Sequence, residues 1–482
     1  MLLSRTPFLR ASAAISLALT LAGCGQEKTY FERELDLIVV SIDTLRADRM
    51  SSYGAKRDTD LAELEWSPAG LARRGTTWRT CWAPAGKTVP SLASFWTGLE
   101  PLEHGALQNG VRIQVETVAA DFKRRGFTTL GRAANVQLRA EWSPGIEGYG
   151  FHRGFDDWGV CIKSDEPLVA RELVERARGP IEAKEPLLIW GHFMAPHQPY
   201  EPATEHDLFS NPEGPPGDNR TLEVVHANPK RLDKPLKRHL IGLYDGEVRT
   251  ASEYVHELLS GLDTHYREAG RGGLLENAVV VFFSDHGEGL GDHFAYFMHA
   301  KSLYSGVTRV PLIVAGPGWQ AGHWNEQPIA LNDVLSRVVW DIEPRREVFV
   351  ASWMSDFFTA RDDRWTLVHR PCDRYPDGPF EPPFRGNPGQ EEVHPFPYPE
   401  VALFDRLADP KEQEDVSMRY PDETRRLLGE LRRWYDALAL SDALPEGIAL
   451  SVSQLAELGY ADAGASEVCE PWKPARWQGP ER

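Results

Sequence analysis

Three apolar runs in this chain end abruptly on acidic or imidazole side chains, and no other feature constrains the fold as tightly. Residues 37–42 (Leu-Ile-Val-Val-Ser-Ile) run straight into Asp43, residues 279–284 into Asp285-His286, and residues 187–194 into Ala195-Pro196-His197. Short continuous apolar runs mark strands buried on both faces, hence a mostly parallel sheet covered by helices. Residues 311–314 form a fourth run. Helical periodicity lies between them: over 247–262, the apolar positions Val248, Ala251, Val255, Leu258, Leu259 and Leu262 recur at three or four. This alternation predicts an α/β fold with a doubly wound, mostly parallel sheet flanked by helices. Ligands of such sheets bind outside the carboxyl ends of the strands, so the three polar groups are expected to converge on one rim.

At 482 residues the chain calls for one large α/β domain and a smaller companion. The character changes near residue 345. Residues 348–352 and 365–368 suggest a small antiparallel sheet, and 421–438 a terminal helix with Leu427, Leu428, Leu431, Trp434 and Leu438 on one stripe. The expected division is a catalytic domain over 34–345, a C-terminal subdomain over 346–440 and a partly disordered tail over 441–482. Residues 200–235 and 371–399, the latter with nine prolines, read as surface loops without regular structure.

Residues 1–24 are processing sequence. Arg5 and Arg10 flank the start of an apolar run, 11–21, that is too short to span a bilayer. It ends in Leu21-Ala22-Gly23-Cys24, which resembles a bacterial lipobox and implies cleavage before Cys24 and lipidation of its thiol. A simple secretory signal is the alternative. The expected location is the bacterial cell envelope, outside the cytoplasm, lipid-anchored to a membrane. Cys81, Cys161, Cys372 and Cys469 then meet an oxidising compartment, as up to two disulfides or as unpaired buried thiols. A net charge of −18 argues against nucleic acid and anionic membrane as partners.

Within residues 79–105 a hydroxyl, Thr88, stands just before Pro90, whose fixed φ suits the first turn of a helix. Ala93, Phe95 and Trp96 can face a core, and Gly98 is a stop signal. A nucleophile at a helix N-terminus has N–H groups and a positive dipole end nearby, which favours an anionic ester. The stretch from Thr88 to Gly105 resembles the nucleophile cassette of the sulfatase and alkaline-phosphatase superfamily, with Thr88 at the nucleophile position. Sulfatases of the aldehyde type place there a Cys or Ser that becomes formylglycine, followed four residues later by Arg. This chain has Thr88 and Leu92, and Cys81 lacks the required neighbours, so the resemblance implies the scaffold without the aldehyde. Four further segments match the family in order: 36–48, 282–293 around Ser-Asp-His-Gly-Glu, 299–313, and 403–416.

The resemblance implies a divalent metal site of Asp43, Asp285 and His286 that also touches Thr88. Such a donor set suits Zn²⁺, with Mn²⁺ or Ca²⁺ as alternatives. Two-metal relatives use an Asp-Pro-His triplet and a later His. Here the triplet is Ala195-Pro196-His197, so His197 and His299 remain without the carboxylate unless His192 or His293 joins them. The alternative is that His197 and His299 act without a second metal, one protonating the leaving oxygen and one activating water. Lys87 and Lys301 are the local candidates for balancing substrate charge. The expected activity is metal-dependent hydrolysis of a phosphate or sulfate ester through a covalent Thr88 intermediate, phosphoester favoured. Two other readings are a phosphoryl-group transferase acting on envelope glycans or lipids, and a binding lipoprotein that has lost its chemistry.

Overall fold

The computed structural model describes residues 30–31, 35–143, 145–293, 295–299, 302–344, 346–353, 357–370, 379–380, 394–395 and 400–439. Cys24 and the signal segment, Lys301, Cys372, Cys469, the 441–482 tail and most of 371–399 lie outside the described residues.

Eight strands build the central sheet: β1 (Asp36–Ile42), β2 (Gly75–Trp78), β3 (Thr128–Ala133), β4 (Asp157–Val160), β5 (Leu187–Phe193), β6 (Ala278–Ser284), β7 (Leu312–Ala315) and β8 (His323–Asn325). Their order is β8-β2-β7-β6-β1-β5-β3-β4. The neighbours β6, β1, β5, β3 and β4 are parallel throughout, as the unbroken apolar runs predict. β7 runs against both of its neighbours. The cause is connectivity: among the described residues the helix between β6 and β7 is a single turn, Ser305–Thr308, too short for a crossover. The chain instead makes a hairpin over Gly289–Asp292 and Ala295–Met298, so it re-enters the sheet from the rim end.

The two faces of β1 feed two separate cores. Ile38, Val40 and Ile42 pack with α2 (Pro167–Ala183) and α4 (Lys234–Glu268) on one side. Leu37 and Val39 pack with α1 (Thr88–Thr97) on the other, as the period-two alternation of a strand requires. Over 200–235 the chain is not purely loop. Asp218 accepts from the Thr221 N–H at 2.8 Å and caps a helix, α3 (Asn219–Ala227), and Asp233 caps the start of α4 in the same way. The expected helix at 247–262 is thus an inner part of a longer one of 35 residues.

Four antiparallel strands, β9 (Phe349–Trp353), β10 (Phe357–Arg361), β11 (Trp365–His369) and β12 (Val401–Asp405), form the separate C-terminal sheet. Leu427 and Leu431 of α5 (Pro421–Ala437) pack on it. Cys81 is a buried free thiol and Cys161 a half-buried one, so these two are not bonded to each other. Among the described residues no helix is long and apolar enough to cross a membrane.

Candidate active site

Ladder register sets the site. Ile42 pairs with Phe193 on one side and with Ser284 on the other, so Asp43, Met194 and Asp285 leave the sheet side by side. The Asp43 N–H extends the ladder by donating to the Phe193 carbonyl at 2.8 Å. At the end of β6, Ser284 Oγ lies 2.7 Å from the carbonyls of Ile42 and of His286 and accepts the Leu45 N–H at 2.9 Å, tying the two turns together. Gly287 is required here, because a Cβ would lie 2.3 Å from the Gly306 carbonyl oxygen.

Thr88 is the first residue of α1. Lys87 before it is extended, and Gly98, at φ 71°, ends the helix in the left-handed region. Thr88 Oγ1 is 3.2 Å from Asp43 Oδ2 and 3.5 Å from His286 Nε2. Two contacts hold the helix at that distance. Ser91 Oγ donates to the Asp285 carbonyl at 2.5 Å, and Phe95 stacks on Phe283 of β6 with ring centroids 4.1 Å apart. Trp96, 4.9 Å from Trp190 of β5, completes the apolar seat.

The carboxylates of Asp43 and Asp285 and the imidazole of His192 each direct one ligand atom to a common point, all three atoms within 4.8 Å of one another. All three residues are fully buried. Asp43 Oδ1, Asp285 Oδ2 and His192 Nε2 have no hydrogen-bond partner. Buried polar atoms are rarely left so, and a cluster of two carboxylates and a ring nitrogen fits a divalent cation. His286 Nε2 belongs to the same group, 3.6 Å from Asp43 Oδ1 and 3.4 Å from Asp285 Oδ2. The electrostatics agree. Burial and the neighbouring Asp43 push the Asp285 carboxyl well above the usual range. For Asp43 burial acts the same way, but the imidazoles of His192, His197 and His286 outweigh it and hold the carboxyl low. Two carboxylates at this separation need a proton or a cation between them.

The imidazoles beside the site are oriented by their Nδ1 partners. His286 Nδ1 is 3.0 Å from the Gly287 carbonyl, His197 Nδ1 is 2.7 Å from the Gln198 carbonyl, and His299 Nδ1 is 3.3 Å from Glu288 Oε1. Each partner is an acceptor, so Nδ1 carries the proton and Nε2 the lone pair. The His286 and His299 ring centroids are 4.6 Å apart, and those of His197 and His299 5.1 Å. Burial pushes His286 down to about 3 and His299 down to about 4, the latter assisted by the Lys87 ammonium, and it lowers His197 as well. All three rings are therefore neutral near pH 7. Glu288, itself fully buried, also accepts from the Tyr200 hydroxyl at 3.1 Å and from the Gly289 N–H at 3.0 Å.

Thr88, Asp43, Asp285, His286, His197 and His299 thus come together as the sequence motifs led one to expect, and Lys87, largely buried, lies near His299. His293 does not join them: its ring stacks on Tyr304 at 3.7 Å and its Nε2 faces the Lys411 carbonyl.

The sulfatase family model matches residues 36–339, which takes in every one of these side chains. The chain belongs to the sulfatase family. It is an ester-bond hydrolase by that membership, and the family generally uses a divalent metal ion. A Δ4,5-hexuronate-2-O-sulfatase of Bacteroides thetaiotaomicron is 23% identical over 360 residues, 67% of this chain and 69% of that one. A choline-sulfatase of Rhizobium meliloti is 26% identical over 148 residues, 29% of this chain and 28% of the relative. In fold, the chain resembles a 2-O GAG sulfatase (TM-score 0.58, 16% identity, 85% of this chain and 95% of the other). It also resembles the phosphonate monoester hydrolase of Agrobacterium radiobacter (TM-score 0.58, 16% identity, 83% and 95%).

Sequence reasoning missed three members of this sulfatase site. His192 was considered only for a second site, yet its Nε2 is 3.5 Å from Asp43 Oδ2. The available signal was one imidazole inside an otherwise apolar strand. Its Nδ1 lies 2.9 Å from Ser41 Oγ, which in turn accepts from the Trp190 indole N–H at 2.9 Å. Asn135, from the turn after β3, donates to Asp43 Oδ2 at 2.7 Å, and nothing local announced it. Glu288 was inside a quoted motif without being assigned a role.

Proposed function

We propose that this protein hydrolyses phosphate esters, with sulfate esters as the poorer alternative, through a covalent ester on Thr88. One observation carries the reading: a hydroxyl at a helix N-terminus stands 3.2 Å from a buried carboxylate and 3.5 Å from a neutral imidazole nitrogen. Asp43, Asp285, His286 and His192 would hold a divalent cation, with Zn²⁺ the best match to two carboxylates and two imidazoles. Such a cation, when bound, lowers the proton affinity of a hydroxyl and stabilises charge on the transferred group.

The chain's own residues account for the proton movements. Thr88 Oγ attacks phosphorus, the bond to the ester oxygen breaks, and an alcohol leaves. A neutral imidazole cannot serve as a resident acid, so the proton delivered to the leaving oxygen must be the one Thr88 loses, relayed through a ring nitrogen. His197, its Nδ1 held by the Gln198 carbonyl, passes that proton to the leaving oxygen. His299, its Nδ1 facing Glu288, takes a proton from the water that opens the Thr88 ester. Lys87 and the N–H groups of the first turn of α1 balance the anionic group. Phosphorus is favoured over sulfur because Thr88 offers a plain hydroxyl where an aldehyde hydrate serves sulfate esters. The Leu21-Ala22-Gly23-Cys24 segment supports an envelope location with a lipid on Cys24.

The test is a panel of 4-nitrophenyl phosphate, bis(4-nitrophenyl) phosphate and 4-nitrophenyl sulfate, with Zn²⁺, Mn²⁺ or Ca²⁺, and mass spectrometry of the acid-quenched protein. A phosphorylated peptide containing Thr88 is expected. Turnover with no adduct at Thr88, or sulfate turned over faster than phosphate, overturns the proposal. An adduct released faster by added alcohols, with the alkyl phosphate as product, selects transfer over hydrolysis.

A further inference from the structure

Met194 to Glu201, the segment that carries His197, has no helix or strand of its own, only a bridge from Tyr200 to Gly217, yet its backbone is gripped at three points by ionisable side chains. Glu166, immediately before α2, accepts through Oε1 from the N–H groups of Met194 at 2.5 Å and Ala195 at 3.0 Å, with Oε2 3.2 Å from the latter. Lys163 Nζ donates to the carbonyls of His197 at 2.5 Å and Pro199 at 2.6 Å. Its third contact is Glu247 Oε2 of α4, at 3.1 Å. Glu247 Oε1 then accepts the Glu201 N–H at 2.6 Å. Glu166 and Glu247 are 2% and 1% exposed, so their carboxyls depend on partners rather than water.

We propose that Lys163, with Glu166 and Glu247, is a positioning clamp that fixes His197 for proton transfer to the leaving oxygen. This rests on the role given to His197 above. An ammonium has three N–H donors, and all three are used here: two on the backbone of the segment and one on a carboxylate of the neighbouring helix. Burial raises the carboxyl of Glu166 to about 8 and raises that of Glu247, and in both the Lys163 ammonium opposes the shift. Removing the cation would leave the buried Glu247 carboxyl without its ion-pair partner and two carbonyls without their donor. The segment would then lose its hold at the residue that must move a proton, while the metal ligands, set by the strand ladder, stay in place.

Lys163→Met and the charge-keeping Lys163→Arg test this in two arms. In the first, hydrogen exchange of the full-length protein is read at the peptide spanning 194–201. Exchange there should rise about tenfold in Lys163→Met and less in Lys163→Arg, with the Thr88 and Asp285 peptides and zinc content unchanged. Unchanged exchange at 194–201 overturns the clamp. The second arm compares kcat for 4-nitrophenyl and phenyl phosphate, or the matching sulfates if those are the esters turned over. A proton delivered to the leaving oxygen matters more for phenoxide, so Lys163→Met should lower kcat about tenfold or more for the phenyl ester and much less for the 4-nitrophenyl ester, with KM little changed. Lys163→Arg should recover part of the loss. His197→Ala is run beside it. If His197→Ala shows this leaving-group dependence and Lys163→Met does not, the clamp does not act through His197 and the inference fails. If His197→Ala shows none, it is the proton-transfer role of His197 that fails, and the exchange arm alone decides whether the clamp exists. Should Lys163→Met not fold, the comparison of Lys163→Arg with Glu247→Gln carries both arms.

Discussion

Asp285→Asn offers the sharpest test of the paired carboxylates, because it changes stability in opposite directions with and without metal. Oxygens of Asp43 and Asp285 lie within 4.8 Å of each other in a fully buried setting. Two full charges at that separation repel by about 3 kcal/mol or more at an effective dielectric near 20. In the metal-free protein this repulsion acts only when both are ionised. The Asp285 carboxyl is raised, so its contribution is complete at acid pH and is lost as pH rises through its folded-state value. An Asn at 285 keeps an acceptor for the His286 N–H, now 2.9 Å from Asp285 Oδ1, and turns a donor toward the unpartnered Asp43 Oδ1. A chain of 482 residues unfolds with an entropy of roughly 0.8–1 kcal/mol per kelvin. The metal-free variant should therefore melt about 3–4 °C above metal-free wild type at pH 9, and close to it at pH 5. Metal reverses the order. Wild type with cation at a thousandfold excess over Kd gains about 4.1 kcal/mol, more than the relief of repulsion, and the variant gains little. Scanning calorimetry with chelator and with Zn²⁺, at both pH values, gives the four curves. A metal-free variant that melts below wild type at pH 9, or a gap that shrinks as pH rises, would refute the reasoning.

Thr88→Ala should abolish turnover with melting temperature and metal content nearly unchanged, whereas Thr88→Ser should retain measurable activity; wild-type rates in the Ala variant exclude Thr88 as nucleophile. Glu288→Gln should slow breakdown of the covalent intermediate about tenfold or more while its formation is little affected, so that burst amplitude in stopped-flow assays grows. His104 and His369 are buried and are not members of the Asp43–His192–Asp285 group, and burial pushes them down to about 3 and about 4. Their stabilising contribution is full above the unfolded histidine value near 6.5 and is lost as pH falls toward 4, and His104→Gln should remove about one proton from the uptake on unfolding at pH 5. Cys24→Ser should move the protein from the membrane to the soluble fraction; a variant that still sediments after a high-salt wash refutes the lipobox reading.

What the sequence revealed and what it withheld follow from the range of the forces involved. Asp43 and Asp285 were legible because each follows a run whose burial on both faces leaves one place for a polar residue, the strand end. Thr88 was legible because its helix start, Pro90 and Gly98 are local backbone requirements. β7 looked like any other buried strand, since four apolar residues carry no sign of direction. His192 was hidden by the apolar strand around it. Lys163 and Glu166, together just before α2, meet Glu247 of α4 from a distant part of the chain, and each alone reads as an ordinary surface charge. The helix over Asn219–Ala227 had a start signal in Asp218, but the proline and glycine density before it outweighed that signal.

Three neighbouring strands deliver Asp43, Asp285 and the His192 segment to the rim in one register. Their spacing is therefore inherited from backbone hydrogen bonds that any sequence of this pattern will make. Changes to the chain beyond the strand ends can leave the two carboxylates where they stand. A lineage built this way can vary the rest of the chain while its reacting atoms keep their spacing, and a designer seeking a new substrate should leave the strand ends alone.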